Sequence, residues 1–434
     1  MNRYKYYVIL AFCVALLACS SNNLINPSTI QQRQLEQSRS ARSFIDSIGI
    51  VVHFNYRDTV YYTQYDKVIV PRLKELGIRH LRSNFTLKDL ETQQKFNDLA
   101  EFGIRSILVM NPLKVTPTEA VKIAKAVPKS IEAVEGPNES DLNPRFQYQG
   151  LSFPEGTRKY QEDLYAAIKA DPATASLDVL SPSLAKAKKS RELGEVACDR
   201  AAIHSYPGSG NLPSSGLENR WIPSARVVCP NQAAIVVTET GYHNAVNKSK
   251  RAGISQQASA KYLPRIFLEY FNRGILRTYN YELIDLKPNP DRARPNWNYG
   301  LLNNDGSPKP AFQAIKNLIA LLNEPRSSDA NSPKITVLDY QAIGATPAIH
   351  HTLLQKNDGR FYLILWQEVA SYKVSQHQDL QVPSRAIDLV LNTPIASANI
   401  YNPLDSIEAI AAYNNPKKLK LQVPDSPLVI ELQP

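Results

Sequence analysis

The chain has 434 residues, 43% apolar and 21% charged, a balance that excludes a disordered or fibrous protein and allows one large core plus a smaller one. Its formal charge is +10, but Lys and Arg are scattered, with only short groups such as "KAKKSR" (186–191) and "PKKLK" (416–420), so no nucleic-acid partner is expected. There is no H-E-x-x-H, EF-hand or C-x-x-C pattern, and neither a metal nor a cofactor is expected.

The first element is "MNRYKYYVILAFCVALLACSSNN" (1–23), a basic start, an apolar run and small residues. Residues 1–18 read as an export signal, too short and wrongly flanked for a lasting membrane helix. Leu16-Leu17-Ala18-Cys19 resembles the bacterial lipobox, which implies cleavage before Cys19 and lipid on that Cys. A plain cleaved signal with an incidental Cys19 is the alternative. Ser20 after the Cys resembles outer-membrane lipoproteins, so an exported, lipid-anchored protein of the outer membrane is expected, with its face left open. Residues 19–43, rich in Ser, Asn and Gln, read as a polar tether. Loss of Arg3 and Lys5 with the signal would leave a charge of +8. The mature body keeps only Cys198 and Cys229, for which a disulfide is expected over two free thiols in an oxidising compartment.

From residue 44 short β-rich runs alternate with helical ones. "IGIVVHF" (48–54) is followed by a helix with Val68, Leu73 and Leu76 at helical spacing, ending at Gly77. Then come "IRHLRS" (78–83), a helix through Phe96 and Leu99, "IRSILVM" (104–110), a helix over 120–127, and "IEAVEG" (131–136). A helix over 157–170 leads to "LDVLSPS" (177–183) and "RAAIHSY" (200–206). Finally "AAIVVTETGY" (233–242), a helix over 256–272 and "ILRTYNYELID" (275–285) complete the set. Eight β-runs with helices between most of them predict parallel pairing and a (β/α)8 TIM barrel over 44–325. A doubly wound open sheet is the runner-up, weakened because no Gly-rich phosphate turn follows the first strand.

"NEPRSSDANSP" (323–333) reads as a linker. Residues 333–434 then carry β-runs only, with a hairpin signal at Asp358-Gly359, and predict a small antiparallel β-sandwich.

In such a barrel the site forms at the carboxyl ends of the strands. The polar residues there are His53, Arg82, Asn111, Asn138 with Glu139, Ser181, His204 with Tyr206, Glu239, and Tyr281 with Glu282. "EGPNES" (135–140) and "VVTETGY" (236–242) resemble the acid/base and nucleophile segments of the clan A retaining glycoside hydrolases, where Asn-Glu ends the fourth strand and a lone Glu the seventh. Arg82, "HSY" (204–206) and "GLLNNDGSPKPAFQAI" (300–315) add to the resemblance, which spans residues 48–322; the β-sandwich tail resembles families 39, 30 and 79. It implies that Glu139 is the acid and then base, Glu239 the nucleophile, and Asn138 a partner of the sugar 2-hydroxyl. Arg82 and Tyr206 would keep Glu239 ionised, and Glu139 would have a raised pKa. His204, Glu282 and Trp297 are further substrate-contact candidates, though His204 could be a satisfied histidine of the barrel rim and Trp297 a loop anchor. Glu135 competes as acid but lies inside its strand and would point between barrel and helix.

The expected partner is a poly- or oligosaccharide, with the membrane reached through the lipid; a monomer is expected. Loop aromatics Tyr148, Phe153, Tyr242, Tyr299 and Trp297 suit ring stacking, and basic residues Arg145, Lys248, Lys250, Arg251, Arg292 and Arg294 suit an anionic glycan. A non-catalytic glycan-binding lipoprotein and a transglycosylase are the alternatives to a glycosidase.

Overall fold

The structure, a computed structural model, describes residues 31–230, 233–247, 253–324 and 335–434. The export signal, Cys19, the loop residues Lys248, Lys250 and Arg251, and all but the start of the 323–333 linker lie outside the described residues.

Two short strands come first, β1 (Gln34–Gln37) and β2 (Arg39–Ser40). The eight apolar runs become β3 (Ile48–Val51), β4 (His80–Ser83), β5 (Arg105–Val109), β6 (Ile131–Glu135), β7 (Asp178–Leu180), β8 (Ala201–His204), β9 (Ile235–Thr240) and β10 (Arg277–Asn280). They form one parallel sheet in the order β7-β6-β5-β4-β3-β10-β9-β8. A parallel bridge between Leu180 and Arg200 joins its two edges, so the sheet closes into the expected (β/α)8 barrel.

The outer helices form where capping and periodicity agree. Helix Leu90–Glu101 starts on the Asp89 side chain, which accepts from Thr92 N, and turns Phe96 and Leu99 inward. Helix Pro117–Ala126 starts in a Thr116/Glu119 capping box. Inside the barrel, Val51, Ile107, Ala133, Leu180, Ala202, Val236 and Tyr279 pack as a plug. Strand alternation puts polar residues above that plug, at the carboxyl ends.

The last hundred residues give β11 (Val337–Ile343), β12 (Ile349–Gln355), β13 (Phe361–Gln367), β14 (Tyr372–Lys373), β15 (Gln378–Asp379), β16 (Arg385–Leu391), β17 (Ser397–Tyr401), β18 (Ala409–Asn414), β19 (Lys418–Val423) and β20 (Leu428–Gln433). A four-stranded sheet, β1-β11-β16-β19, faces a six-stranded one, β18-β17-β20-β13-β12-β2. Leu338, Tyr340, Leu363, Leu389, Leu419 and Ile430 fill the space between them.

The N-terminal boundary differs from the expectation. Residues 34–40, read as tether, complete the sandwich: β1 pairs antiparallel with β11 and β2 parallel with β12. The pairing uses backbone groups, so polar side chains do not prevent it; Glu36 accepts from His351 at 2.9 Å. Helix Ala41–Asp46 then leads into the barrel.

Barrel and sandwich meet along helix Gln256–Asn272, most of whose residues are buried. Arg265, fully buried, pairs with Glu368 at 2.6 Å and donates to Val369 O at 3.1 Å. Glu269 accepts from Trp366 Nε1 at 2.9 Å and faces His350 Nδ1 at 2.6 Å. Burial would raise the Glu269 pKa, but the hydrogen bond and charge of His350 and the charge of Arg273 outweigh it and hold it low.

Cys198 and Cys229 form the expected disulfide, S–S 2.06 Å. Cys198 precedes β8 and Cys229 follows helix Ile222–Val228, so the bond ties the start of a barrel strand to the chain returning to the next.

Candidate active site

The site is built on four strand ends. On β6, Ala133 belongs to the interior plug, so Glu135, two residues on, also points inward. The chain then turns sharply at Gly136, where a Cβ would stand 2.0 Å from Gln161 Oε1 and 3.1 Å from Pro182 N. A side chain there would have to displace the buried Gln161 amide, which donates to Leu180 O and Ala197 O. Past Pro137, Asn138 bridges to Ser183 and Glu139 N donates to Ser183 O at 2.8 Å. Glu139 itself has φ 45°, a left-handed conformation that disfavours a side chain and is held here by these backbone bonds.

Glu239 reaches the mouth through an irregularity. Pairing of β9 runs Ile203↔Val237 then His204↔Glu239 on one side, and Thr278↔Val237 then Asn280↔Thr240 on the other. Simple alternation from the inward Val236 would turn Glu239 outward; the extra residue lets both Thr238 and Glu239 face the interior.

Arg82, at the end of β4, organises the carboxylates. Its Nη1 donates to Glu239 Oε1 at 2.6 Å, its Nε and Nη2 to Glu135 at 2.6 and 2.9 Å, and its Nη2 to Asn138 Oδ1 at 2.7 Å. Glu135, with no exposed surface, also accepts from Thr238 Oγ1 at 3.1 Å. Glu135 therefore lies inside the barrel as the anchor of Arg82, and the expectation that it points between barrel and helix is corrected. The second Oε of Glu239 accepts from Tyr206 O–H at 2.7 Å. Both expected donors thus reach Glu239, and burial together with the Glu239 charge keeps the Tyr206 hydroxyl protonated far above its ordinary value.

His204 stands between the two glutamates, with Nδ1 2.9 Å from Glu139 Oε1 and 3.7 Å from Glu239 Oε2. Burial alone would depress its pKa; the Glu239 charge and the hydrogen bond to Glu139 outweigh it and raise it. Glu139 does not follow the expected upward shift. Burial pushes its pKa up, but the hydrogen bond and charge of His204, with Arg82, pull it below the usual carboxylate value. The negative charge that should have raised it, on Glu239, is already met by Arg82 and Tyr206.

These groups line one face of a cleft of about 1000 Å³. Tyr56, Tyr281 and Tyr299 form a further part of its wall with His53, which stacks on Tyr56 at 4.4 Å. Burial depresses His53 to a pKa of about 4, so it is neutral at pH 7. Glu282 is not on this wall. It is fully buried behind it, accepts from Tyr61 O–H at 3.1 Å, and burial raises its pKa far above the carboxylate range. Trp297 is likewise not among the residues that line the cleft, and the Arg294 guanidinium lies 4.6 Å from its ring centre. Of the loop aromatics, Tyr242 and Tyr299 line the cleft, while Tyr148 packs on Tyr160 and Phe153 faces Lys189. Asn111 lines it; Ser181 accepts from Ala202 N and holds the strand ends together. Arg145, Arg292 and Arg294 do not line it; Lys186, Lys188 and Arg220 do.

Donor atoms of Glu139, His204 and Glu239 all lie within 4.8 Å of one another, close enough for a cation. The Arg82 guanidinium supplies a positive charge at Glu239.

No family model and no curated protein matches the sequence. Solved structures share its shape. A family 39 glycoside hydrolase from the gut symbiont Bacteroides cellulosilyticus WH2 superposes with a TM-score of 0.58 at 14% identity, over 91% of this chain and 82% of its own. The family 39 enzyme of Xanthomonas axonopodis pv. citri gives 0.58 at 14%, over 93% and 97%. A glucosidase from Croceicoccus marinus gives 0.57 at 9%, over 85% and 92%. At this coverage the likeness extends through barrel and sandwich together, and the chain has the fold of the family 39 glycoside hydrolases.

Proposed function

We propose that the protein is a retaining glycoside hydrolase acting on a poly- or oligosaccharide, with Glu239 as nucleophile and Glu139 as acid and then base. The observation that carries this reading is the spacing of the two carboxylates: an oxygen of Glu139 and one of Glu239 lie within 4.8 Å, across the mouth of an open cleft. Retention calls for carboxyl groups about 5–5.5 Å apart, inversion for about 6.5–9.5 Å to admit a water.

In the first step Glu239 attacks the anomeric carbon as the glycosidic C–O bond breaks, and the Glu139–His204 pair gives one proton to the departing oxygen. His204 Nδ1 and Glu139 Oε1 lie within hydrogen-bond distance, 2.9 Å, so the pair holds that proton as a unit. In the second step a water loses its proton to Glu139, attacks the same carbon and releases Glu239. Arg82 and Tyr206 keep Glu239 ionised between turnovers. Asn138, whose Oδ1 is held by Arg82, has its amide N–H2 without a partner among the described residues and available to the sugar 2-hydroxyl.

A screen on a polysaccharide panel finds the substrate, and two variants then test the roles. Glu239→Gln abolishes turnover for every leaving group. Glu139→Ala retains the first step for activated leaving groups, and azide restores the second with retained configuration. Inverted product from either variant or from the wild type contradicts the reading. Binding without turnover on all glycans favours a glycan-binding protein, and transfer to sugar in preference to water a transglycosylase.

The Leu16–Cys19 motif supports placing this enzyme on the outer membrane by a lipid on Cys19. Cys19→Ala is then released from the membrane fraction and takes up no labelled lipid; unchanged fractionation contradicts the anchor.

A further inference from the structure

The ionisable groups of the cleft are unevenly placed. Its carboxylates, Glu139 and Glu239, already face His204 and Arg82. Its other cations, Lys186, Lys188 and Arg220, form no ion pair among the described residues. All three are exposed and stand on one wall, made by the short helices Ala187–Lys189 and Leu217–Trp221 packed against each other.

That wall is fixed rather than loose. The Asp141 carboxylate accepts from the backbone N–H groups of Ala185 and Lys186, each at 3.0 Å, and ties the segment to the Glu139 loop. Gly216 has φ +77°, and a Cβ there would lie 2.7 Å from Arg220 Nη2, so the guanidinium is folded against a backbone only glycine allows. Trp221, 5% exposed, lines the same wall, and the Arg220 guanidinium lies 5.4 Å from its ring centre. Three cations with no carboxylate partner among the described residues, one of them beside an aromatic ring, make a surface that an oxygen-rich anion completes.

We propose that this wall binds an acidic sugar unit, so that the substrate is an anionic glycan carrying carboxylate or sulfate groups. Placing the acidic unit on the leaving-group side rests on the glycosidase reading, because the wall adjoins Glu139, the group that would protonate the leaving oxygen. Lys186, Lys188 and Arg220 take the anion through charge-assisted bonds and take no part in bond cleavage. They act on KM and on binding rather than on the chemical step.

Equilibrium binding of the full chain to three size-matched probes tests this at low and at physiological salt: a dextran oligosaccharide, a sulfated dextran oligosaccharide and an oligogalacturonate. The proposal expects one or both anionic probes to bind more tightly than the neutral one, sulfate or carboxylate preference naming the acidic group. The variant Lys186→Ala/Lys188→Ala/Arg220→Ala weakens that binding about tenfold or more and flattens its salt dependence. A charge-matched control, Arg385→Ala/Lys417→Ala/Lys420→Ala, removes three cations of the sandwich and leaves it nearly unchanged. Equal losses in the cleft variant and the control, or no preference of the wild type for either anionic probe, overturn the proposal. The two readings fail separately: selective anion binding without turnover on any glycan removes the glycosidase and keeps the wall, whereas turnover of neutral glycans with no effect of the cleft variant does the reverse.

Discussion

Nδ1 of His204 lies 2.9 Å from Oε1 of Glu139, and this contact sets the pH behaviour of the cleft. The Glu139 pKa is lowered, so its share of the pair's stability is present above the ordinary value of 4.5 and is lost as pH falls through the lowered value. The His204 pKa is raised, so its share is present below the ordinary 6.5 and is lost as pH rises through the raised value. Glu139→Gln is therefore most destabilising between pH 4.5 and 6.5 and less so on either side. Thermal unfolding of both proteins from about pH 3 to about pH 9 checks this, and a Tm difference independent of pH contradicts it.

Arg82→Lys removes a planar fork that serves Glu135, Glu239 and Asn138 at once, which a single ammonium cannot reproduce. The expected loss is about 10²–10³-fold in kcat/KM and about 2–4 kcal/mol in stability, the latter because Glu135 is left buried without its partner. Adding Glu135→Gln to Arg82→Lys restores part of the stability and none of the activity. Recovery of activity in the double variant would show that Arg82 matters only as a counter-ion of Glu135.

The fold could be read from the sequence where side-chain pattern and pairing coincide. All eight barrel strands and the helix at 256–272 sit where the apolar runs place them, because burial against the barrel demands those residues. β1, "QLEQ", and β18, "AIAAYN", did not show themselves, since each is an edge strand held by backbone bonds with little buried surface. Within the site, Glu135 could have been assigned to the barrel interior, two residues after Ala133. The inward turn of Glu239 depends on a register shift that no alternation pattern announces. The lowered pKa of Glu139 depends on its distance to His204, 65 residues away in the chain, which no local pattern shows.

The disulfide is a separate matter of stability. Its two cysteines are 31 residues apart, and in the chain-entropy account such a loop contributes about 3–4 kcal/mol. Cys198→Ser/Cys229→Ser lowers the denaturant midpoint accordingly while kcat changes little, because the bond lies near the start of β8 and the site at the strand ends. A large loss of kcat at temperatures where the variant is fully folded contradicts this placement.

Arg265 and Glu368 join barrel to sandwich without solvent contact for the arginine. Arg265→Ala leaves a buried carboxylate unpaired and costs about 3–5 kcal/mol, whereas Arg265→Met with Glu368→Leu costs much less. Urea unfolding of the three proteins distinguishes these cases; equal losses would mean that the pair is replaceable only as an ion pair.

Attack of Glu239 on the anomeric carbon, the step proposed above, leaves a covalent glycosyl-enzyme as its direct trace. Once the screen has named the sugar, its 2-deoxy-2-fluoro derivative with a reactive leaving group slows breakdown of the covalent intermediate and lets it accumulate. Peptide mass mapping of the inactivated protein is the direct measurement. One added fluorosugar mass is expected on the peptide carrying Glu239, and none on that peptide in Glu239→Gln; the label on Glu139, Glu135 or any other carboxylate would contradict the nucleophile's assignment.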